Sequence, residues 1–180
     1  MGAATEAVER GIETGPCDEL TTRTGLKLRV RPAAPGDKGA LAQLFDEVSS
    51  EDRRFRFLSA VRRVDDDMLR RLTEVDHDRT EDFLAFDGDR LIASAMLAAD
   101  GEGKRAEVAI SIDAEYKHRG VGWALLDHVA RYAAGKGIEL LESVESRDNV
   151  EAISLEKEMG FTGTFYPGDA TLVLLQKKLG

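Results

Sequence analysis

The chain has 180 residues, 42% hydrophobic and 33% charged, and its 25 basic against 34 acidic side chains leave a net charge of −9. That length suits one domain with a single sizeable core, and the acidic balance argues against nucleic acid as the main partner, because phosphate contacts need a basic surface. It mildly favours a cationic acceptor, although solubility alone explains an acidic surface. The single cysteine, Cys17, allows no intrachain disulfide and fits a reducing cytoplasm. No apolar run approaches membrane-spanning length and no basic-then-apolar signal pattern opens the chain, so no membrane role is expected.

Residues 1–25, rich in Ala, Glu, Gly and Thr, read as a flexible leader, with one candidate helix over residues 4–10. The domain is expected to begin at residue 26. Alternation over residues 26–32 predicts a strand stopped by Pro32. Asp37 is placed as the cap of a helix carrying Leu41, Leu44, Phe45 and Val48 at helical spacing and ending near residue 50. Residues 50–82 are the most charged part. A short helix is predicted over 51–58 and a longer one over 65–75, with Met68, Leu69, Leu72 and Val75 buried and its charges matched to the helix dipole. Residues 82–87 and 90–98 form a hairpin around the Asp-Gly turn at Asp87-Gly88.

A strand over residues 104–112 follows, with Val108, Ile110 and Ile112 on one face. Gly120 and Gly122 then remove side chains where a loop turns into a helix over residues 120–134, which Gly135-Lys136-Gly137 ends. Several N–H groups are left bare at that helix N-terminus, which suits a phosphate, and Lys117, His118 and Arg119 stand beside it. There is no G-x-x-x-x-G-K-[ST] and no third glycine of a dinucleotide fingerprint, so neither of those phosphate loops fits. A ligand-free turn stays open on these residues alone. Residues 138–144 predict a strand, 149–159 a helix, and 161–165 with 171–178 a closing hairpin. The order β-α-α-β-β-β-α-β-α-β-β is an α/β class, a mixed sheet with helices on both faces.

Lys117-His118-Arg119-Gly120-Val121-Gly122 resembles the acyl-CoA loop, [QR]-x-x-G-x-[GA], of the GCN5-related N-acetyltransferase (GNAT) superfamily, with Lys where Gln or Arg is usual. Asn149, Ala152, Leu155, Gly160 and Phe161 are similar to that superfamily's N-x-x-A-x-x-[LF]-Y-x-x-x-G-F helix, and Glu156 stands at the Tyr position. The two motifs fall in the expected order with a strand between them. The resemblance covers about residues 27–178 and implies the GNAT fold, a mostly antiparallel mixed sheet with an acyl-CoA cleft between splayed central strands. More finely, Arg53-Arg54-Phe55-Arg56-Phe57 and residues 72–79 resemble the GNAT domain of bacterial protein lysine acetyltransferases.

The resemblance implies acetyl-CoA as co-substrate and no metal. It places the pantetheine arm between the strands over 104–112 and 138–144, paired with main chain at Ile110 and Ile112. The pyrophosphate would sit on the amides from His118 to Trp123, within a loop made of Lys117, His118, Arg119, Gly120, Val121, Gly122 and Trp123. Asn149 would bond the pantetheine, cap its helix, or both. The reaction implied is acetyl transfer to a primary amine, either a protein lysine or a small molecule. A lysine-type amine, with a pKa near ~10.4, must first lose a proton. Glu107, similar to the catalytic Glu position of several protein acetyltransferases, is the candidate base; an ordinary strand-end charge is its alternative. An N–H near Ile112 would hold the oxyanion.

Glu156 leaves three readings open. It is protonated and acts as the acid, it points away while the thiolate leaves unaided, or it lies on the helix surface paired with lysines. His77, His118 and His128 lack metal-site spacing, and Trp123 is expected to pack at the helix start. Two other functions stay in view, a non-catalytic CoA-binding regulatory module and a structural domain with an empty loop. Acceptor choice is placed in residues 55–82 and 165–170, and a homodimer fits the superfamily.

Overall fold

Among the described residues, eight strands join in one sheet of order β1-β2-β3-β4-β5-β6-β8-β7. The computed structural model describes residues 16–180; the helix expected over residues 4–10 lies outside them. In chain order the elements are β1 (Asp18–Thr21), β2 (Lys27–Pro32), α1 (Lys38–Glu47), α2 (Ser50–Phe57), α3 (Asp66–Thr73), β3 (Thr80–Asp87), β4 (Arg90–Ala99), β5 (Arg105–Ile112), α4 (Val121–Gly135), β6 (Leu140–Ser146), α5 (Val150–Glu158), β7 (Thr162–Phe165) and β8 (Leu172–Lys178). Every neighbouring pair is antiparallel except β5 with β6. This is the mixed, mostly antiparallel sheet with helices on both faces that the sequence predicts, and the three helices expected between residues 37 and 75 all form as α1, α2 and α3.

The expected domain start at residue 26 is corrected at the N-terminal side. Within the stretch read as leader, Asp18–Thr21 is strand β1, paired residue by residue with β2 from Asp18↔Val30 to Thr21↔Lys27. A strand of four residues with one large apolar side chain, Leu20, gives periodicity too little to register. Its turn, Thr22 to Gly25, then packs against the loop that precedes α4.

The sheet separates two apolar layers. On one face Phe83, Ala95, Leu97 and Val108 pack with Val121, Leu125 and Val129 of α4. On the other, Leu84, Phe86 and Leu91 pack with Leu41, Leu44 and Phe45 of α1 and with Leu69 and Leu72 of α3. The predicted stripe of α3 is shorter than expected, because the helix ends at Thr73 before Val75. Asp65 caps that helix, accepting from the Met68 amide at 2.8 Å.

Asp37 precedes α1 but its side chain does not cap it. The carboxylate turns back, accepting two bonds from Arg31 at 2.8 and 2.7 Å and one from the Ala34 amide at 2.8 Å. Burial alone would push this carboxyl up; the Arg31 guanidinium and the Ala34 amide outweigh that and hold it below its ordinary value. Both side chains are almost wholly covered. Asp37→Ala therefore strands a buried guanidinium, and we expect a loss of about 3 kcal/mol in urea unfolding at neutral pH. A carboxyl depressed in the folded state stabilises above its unfolded pKa and loses that contribution as pH falls through the folded value. The gap between wild type and variant should accordingly close at acid pH, below ~4.

Candidate active site

β5 and β6 run parallel but pair only from Arg105↔Leu140 to Glu107↔Glu142. Beyond Glu107 both strands continue, β5 to Ile112 and β6 to Ser146, without joining. Along β5 successive N–H groups point to opposite sides. The Asp113 amide donates to Ile92 of the β4 side at 2.9 Å, so the amides of Ile112, Ile110 and Val108 face the gap. The gap opens as a cleft of about 290 Å³ walled by β5, the loop before α4, Val144 and Glu145 of β6, and Asn149, Ala152, Leu155 and Glu156 at α5. Ile110 and Ile112, expected to pair with an extended arm, line it.

At one end lies the glycine loop. His118 and Gly120 hold left-handed backbone, φ 63° and 80°, which turns the chain sharply into α4. The first helical bond is Ala124 N–H to Gly120 O, at 3.1 Å. Among the described residues, no amide from Lys117 to Trp123 donates to a protein group. Together with the positive end of the fifteen-residue α4 they form an anion site. The loop is braced from behind. Thr24 Oγ1 donates to Arg119 O at 2.7 Å, and a Cβ on Gly120 would meet Thr22 Cβ and Arg23 N at 3.3 Å. A Cβ on Gly122 would meet Ile112 and Leu155, at 3.4 and 3.7 Å, one on each wall of the cleft.

The side chains of the loop divide. Lys117, His118, Gly120, Val121 and Gly122 line the cleft. Lys117 is held by Asp52 of α2 at 2.9 Å and by Glu151 of α5 at 3.4 Å, and His118 lies 3.7 Å from Glu151. Arg119 turns away, its guanidinium over the Tyr116 ring at 4.9 Å. Trp123 lies under Arg23, 4.1 Å from its guanidinium. Neither of the last two side chains borders the cleft, so only their backbone belongs to the site. Trp123 packs at the helix start, as expected of it.

Glu107 stands at the fork, the last residue of β5 joined to β6. It shares a sheet face with Ala109 and Ser111, which border the cleft, and that face looks toward α2. Loss of water around it is the main cause that raises its carboxyl above the ordinary value; Arg56 opposes this and Glu142 adds to it. Arg56, from α2, also faces Asp82 and Glu145. Asp82, buried on β3, accepts from Ser94 at 2.7 Å, and burial pushes it up to about 7.

Asn149 does cap α5, its Oδ1 accepting from Ala152 N at 3.4 Å, while its Nδ2 donates to Glu145 at 2.8 Å. Glu156 is not a helix-surface residue paired with lysines. It is 6% exposed and lies on the cleft, with both oxygens 2.8 and 2.9 Å from Ser143 Oγ. Glu145 Oε1 is 3.4 Å from the same hydroxyl. Arg56, Ser143 and Glu145 are site residues that sequence reading missed. Arg56 sat in a segment quoted only for likeness, and Glu145 looks like any alternating polar residue of a strand; no periodicity singles either out.

A family model described as the acetyltransferase (GNAT) family matches residues 42–161. The chain is 28% identical over 154 residues to Acetyltransferase PA5475 of Pseudomonas aeruginosa, a match spanning 83% of each protein. It is similar to the GNAT domain of S. lividans PAT at a TM-score of 0.85 and 26% identity, covering 91% of this chain and 97% of that one. A cAMP-binding acyltransferase from Mycobacterium smegmatis shares the fold, with a TM-score of 0.63, 23% identity, and coverage of 92% of this chain and 48% of the other.

Proposed function

Since the chain belongs to the acetyltransferase (GNAT) family, we propose that it is an acyl-CoA-dependent N-acetyltransferase that moves an acetyl group from acetyl-CoA to a primary amine. The observation that carries this reading is the junction of two vacant hydrogen-bonding surfaces in one cleft. The unpaired amides from Lys117 to Trp123 suit a pyrophosphate, and the gap-facing amides of β5 suit an extended pantetheine arm. Gly122, bare between Ile112 and Leu155, leaves the passage between them open.

In this reading Glu107 takes a proton from the acceptor's ammonium, directly or through a water, so that the nitrogen lone pair can attack the thioester carbon. An N–H of β5 near Ile112 receives the charge that develops on the carbonyl oxygen. The C–S bond then breaks, its electron pair stays on sulfur, and the acetamide forms as the nitrogen gives its second proton to Glu107, which has passed the first to solvent. The acceptor enters from the side of α2 and α3, where Glu107 and Asp82 surround Arg56. The resemblance of Arg53-Arg54-Phe55-Arg56-Phe57 and residues 72–79 to bacterial protein lysine acetyltransferases supports a protein lysine as acceptor.

Labelled acetyl-CoA added to a dialysed bacterial lysate, and separately to its small-molecule fraction, tests the proposal. Label in protein bands supports a protein lysine acceptor. Label only in the small-molecule fraction turns the acceptor to an amine metabolite. Binding of acetyl-CoA with no transfer in either would sink the enzyme reading and leave a CoA-binding module.

A further inference from the structure

Two carboxyl groups meet on the wall of the cleft with fewer protons between them than their contacts require. Ser143 Oγ lies within 2.8, 2.9 and 3.4 Å of three carboxyl oxygens, two of Glu156 and one of Glu145. A hydroxyl has one proton to give and two lone pairs to offer. With both glutamates ionised, Ser143 could satisfy one carboxylate and would meet the other oxygen to oxygen. Each carboxyl group is hydrogen-bonded to Ser143 if one keeps its proton and donates to Ser143, while Ser143 donates to the other.

The partners decide which is which. Glu145 Oε2 already accepts from Asn149 Nδ2 at 2.8 Å, so Glu145 is the acceptor at the end of the chain and is the ionised member. Glu156 has no donor other than Ser143 among the described residues and is 6% exposed. It is the member that holds the proton, in the order Glu156–H to Ser143–H to Glu145. The charges facing the pair are consistent. Burial raises Glu145 above its ordinary value, and Asn149, Ser143 and then Arg56 of α2 work against that rise. Burial first, and then the negative charge of Glu145, push Glu156 up to about 8. Glu107 of β5 and Asp82 of β3 share Arg56 with Glu145, which dilutes that cation's effect.

We propose that Glu145 and Glu156 hold a single proton between them through Ser143, and that Glu156 delivers this proton to the departing sulfur of CoA, with Glu145 as the positioning residue that keeps it loaded. The delivery rests on the acetyltransferase reading above; the sharing does not. As the C–S bond breaks, the Glu156 O–H bond breaks with it and an S–H bond forms. The acceptor nitrogen sheds two protons, the first through Glu107 to solvent before attack and the second to Glu107 as the C–S bond breaks, so that the proton gained by Glu107 matches the one lost by Glu156. Glu156, left ionised beside Glu145, regains a proton from solvent once CoA has gone, and Glu107 releases its own. A carboxylate at this place would repel a thiolate; a neutral carboxyl assists its departure.

The experiment titrates the full chain labelled with carbon-13 at the glutamate side-chain carboxyls, for wild type, Glu156→Gln and Glu145→Gln, and follows the pH profile of kcat for acetyl transfer in the same three proteins. Wild type should show one glutamate carboxyl titrating near pH 8. Glu156→Gln should lose that titration and at least ~10-fold in kcat. Glu145→Gln should move it to lower pH and carry the alkaline limb of the kcat profile down with it, which a merely structural role would not do. If no wild-type glutamate titrates above neutrality, the shared proton is overturned, whatever the variants do. If the titration moves in Glu145→Gln and the limb does not, delivery to sulfur is overturned. A chain that titrates as described but transfers no acetyl group overturns the acetyltransferase reading and the delivery while the sharing stands.

Discussion

Glu107→Gln should lower kcat for acetyl transfer by ~10²- to 10⁴-fold, the range for loss of a positioned general base, while acetyl-CoA binds as before. The expectation comes from where Glu107 stands. It is the last residue of β5 paired with β6, at the fork and not along the diverging edges that would hold the arm. Glutamine keeps its size and removes the basic oxygen. Water loss and the neighbouring Glu142 raise this carboxyl against the opposing Arg56, so the acid limb of kcat/KM should lie above the ordinary carboxylate range and disappear in the variant. Steady-state kinetics and calorimetry with acetyl-CoA check the two halves. An unchanged kcat would move the base elsewhere, with ionised Glu145 the next group to examine.

Gly122→Asp should weaken acetyl-CoA binding by at least ~100-fold, about 2.8 kcal/mol, with little change in thermal stability. The backbone at Gly122 needs no left-handed conformation, and a Cβ there meets Ile112 and Leu155 at ordinary contact distances. The fold therefore tolerates a side chain. The cleft does not, because those two residues stand on its opposite walls. The carboxylate adds repulsion toward a pyrophosphate and competes for the bare amides. Gly122→Ala separates the causes, since a methyl narrows the passage without charge and should cost much less. Calorimetric titration with acetyl-CoA reads all three. A Gly122→Asp protein that melts normally and binds normally would show that the loop is not the phosphate site.

What the sequence disclosed depended on whether a residue's role followed from spacing. Val108, Ile110 and Ile112 alternate, and Gly120 and Gly122 punctuate the start of α4, so the strand, loop and helix of the site were legible, as was Asn149 at its cap. Asp37 shows the limit. Its position before a helix predicted a cap, and a buried Arg31 six residues earlier drew the carboxylate away; side-chain competition of that kind leaves no periodic trace. β1 escaped notice because a short edge strand pairs on one side only and needs little apolar content. Glu156 misled for a related reason. A glutamate in a charged helix segment reads as solvated, and only the fold brings Ser143 and Glu145 against it from another strand.

The place of β8 between β6 and β7 bears on how the molecule comes into being. A ribosome delivers β6, α5 and β7 before the strand that joins them, and β7 pairs with no strand but β8 among the described residues. Residues as late as Leu175, wholly buried, must arrive before that wall can settle. The core beneath α4 counts Leu141 and Leu175 among its members, so this single domain settles as a unit once its last strand has emerged. A premature stop in that strand leaves β6 and β7 unjoined and the same core unfilled.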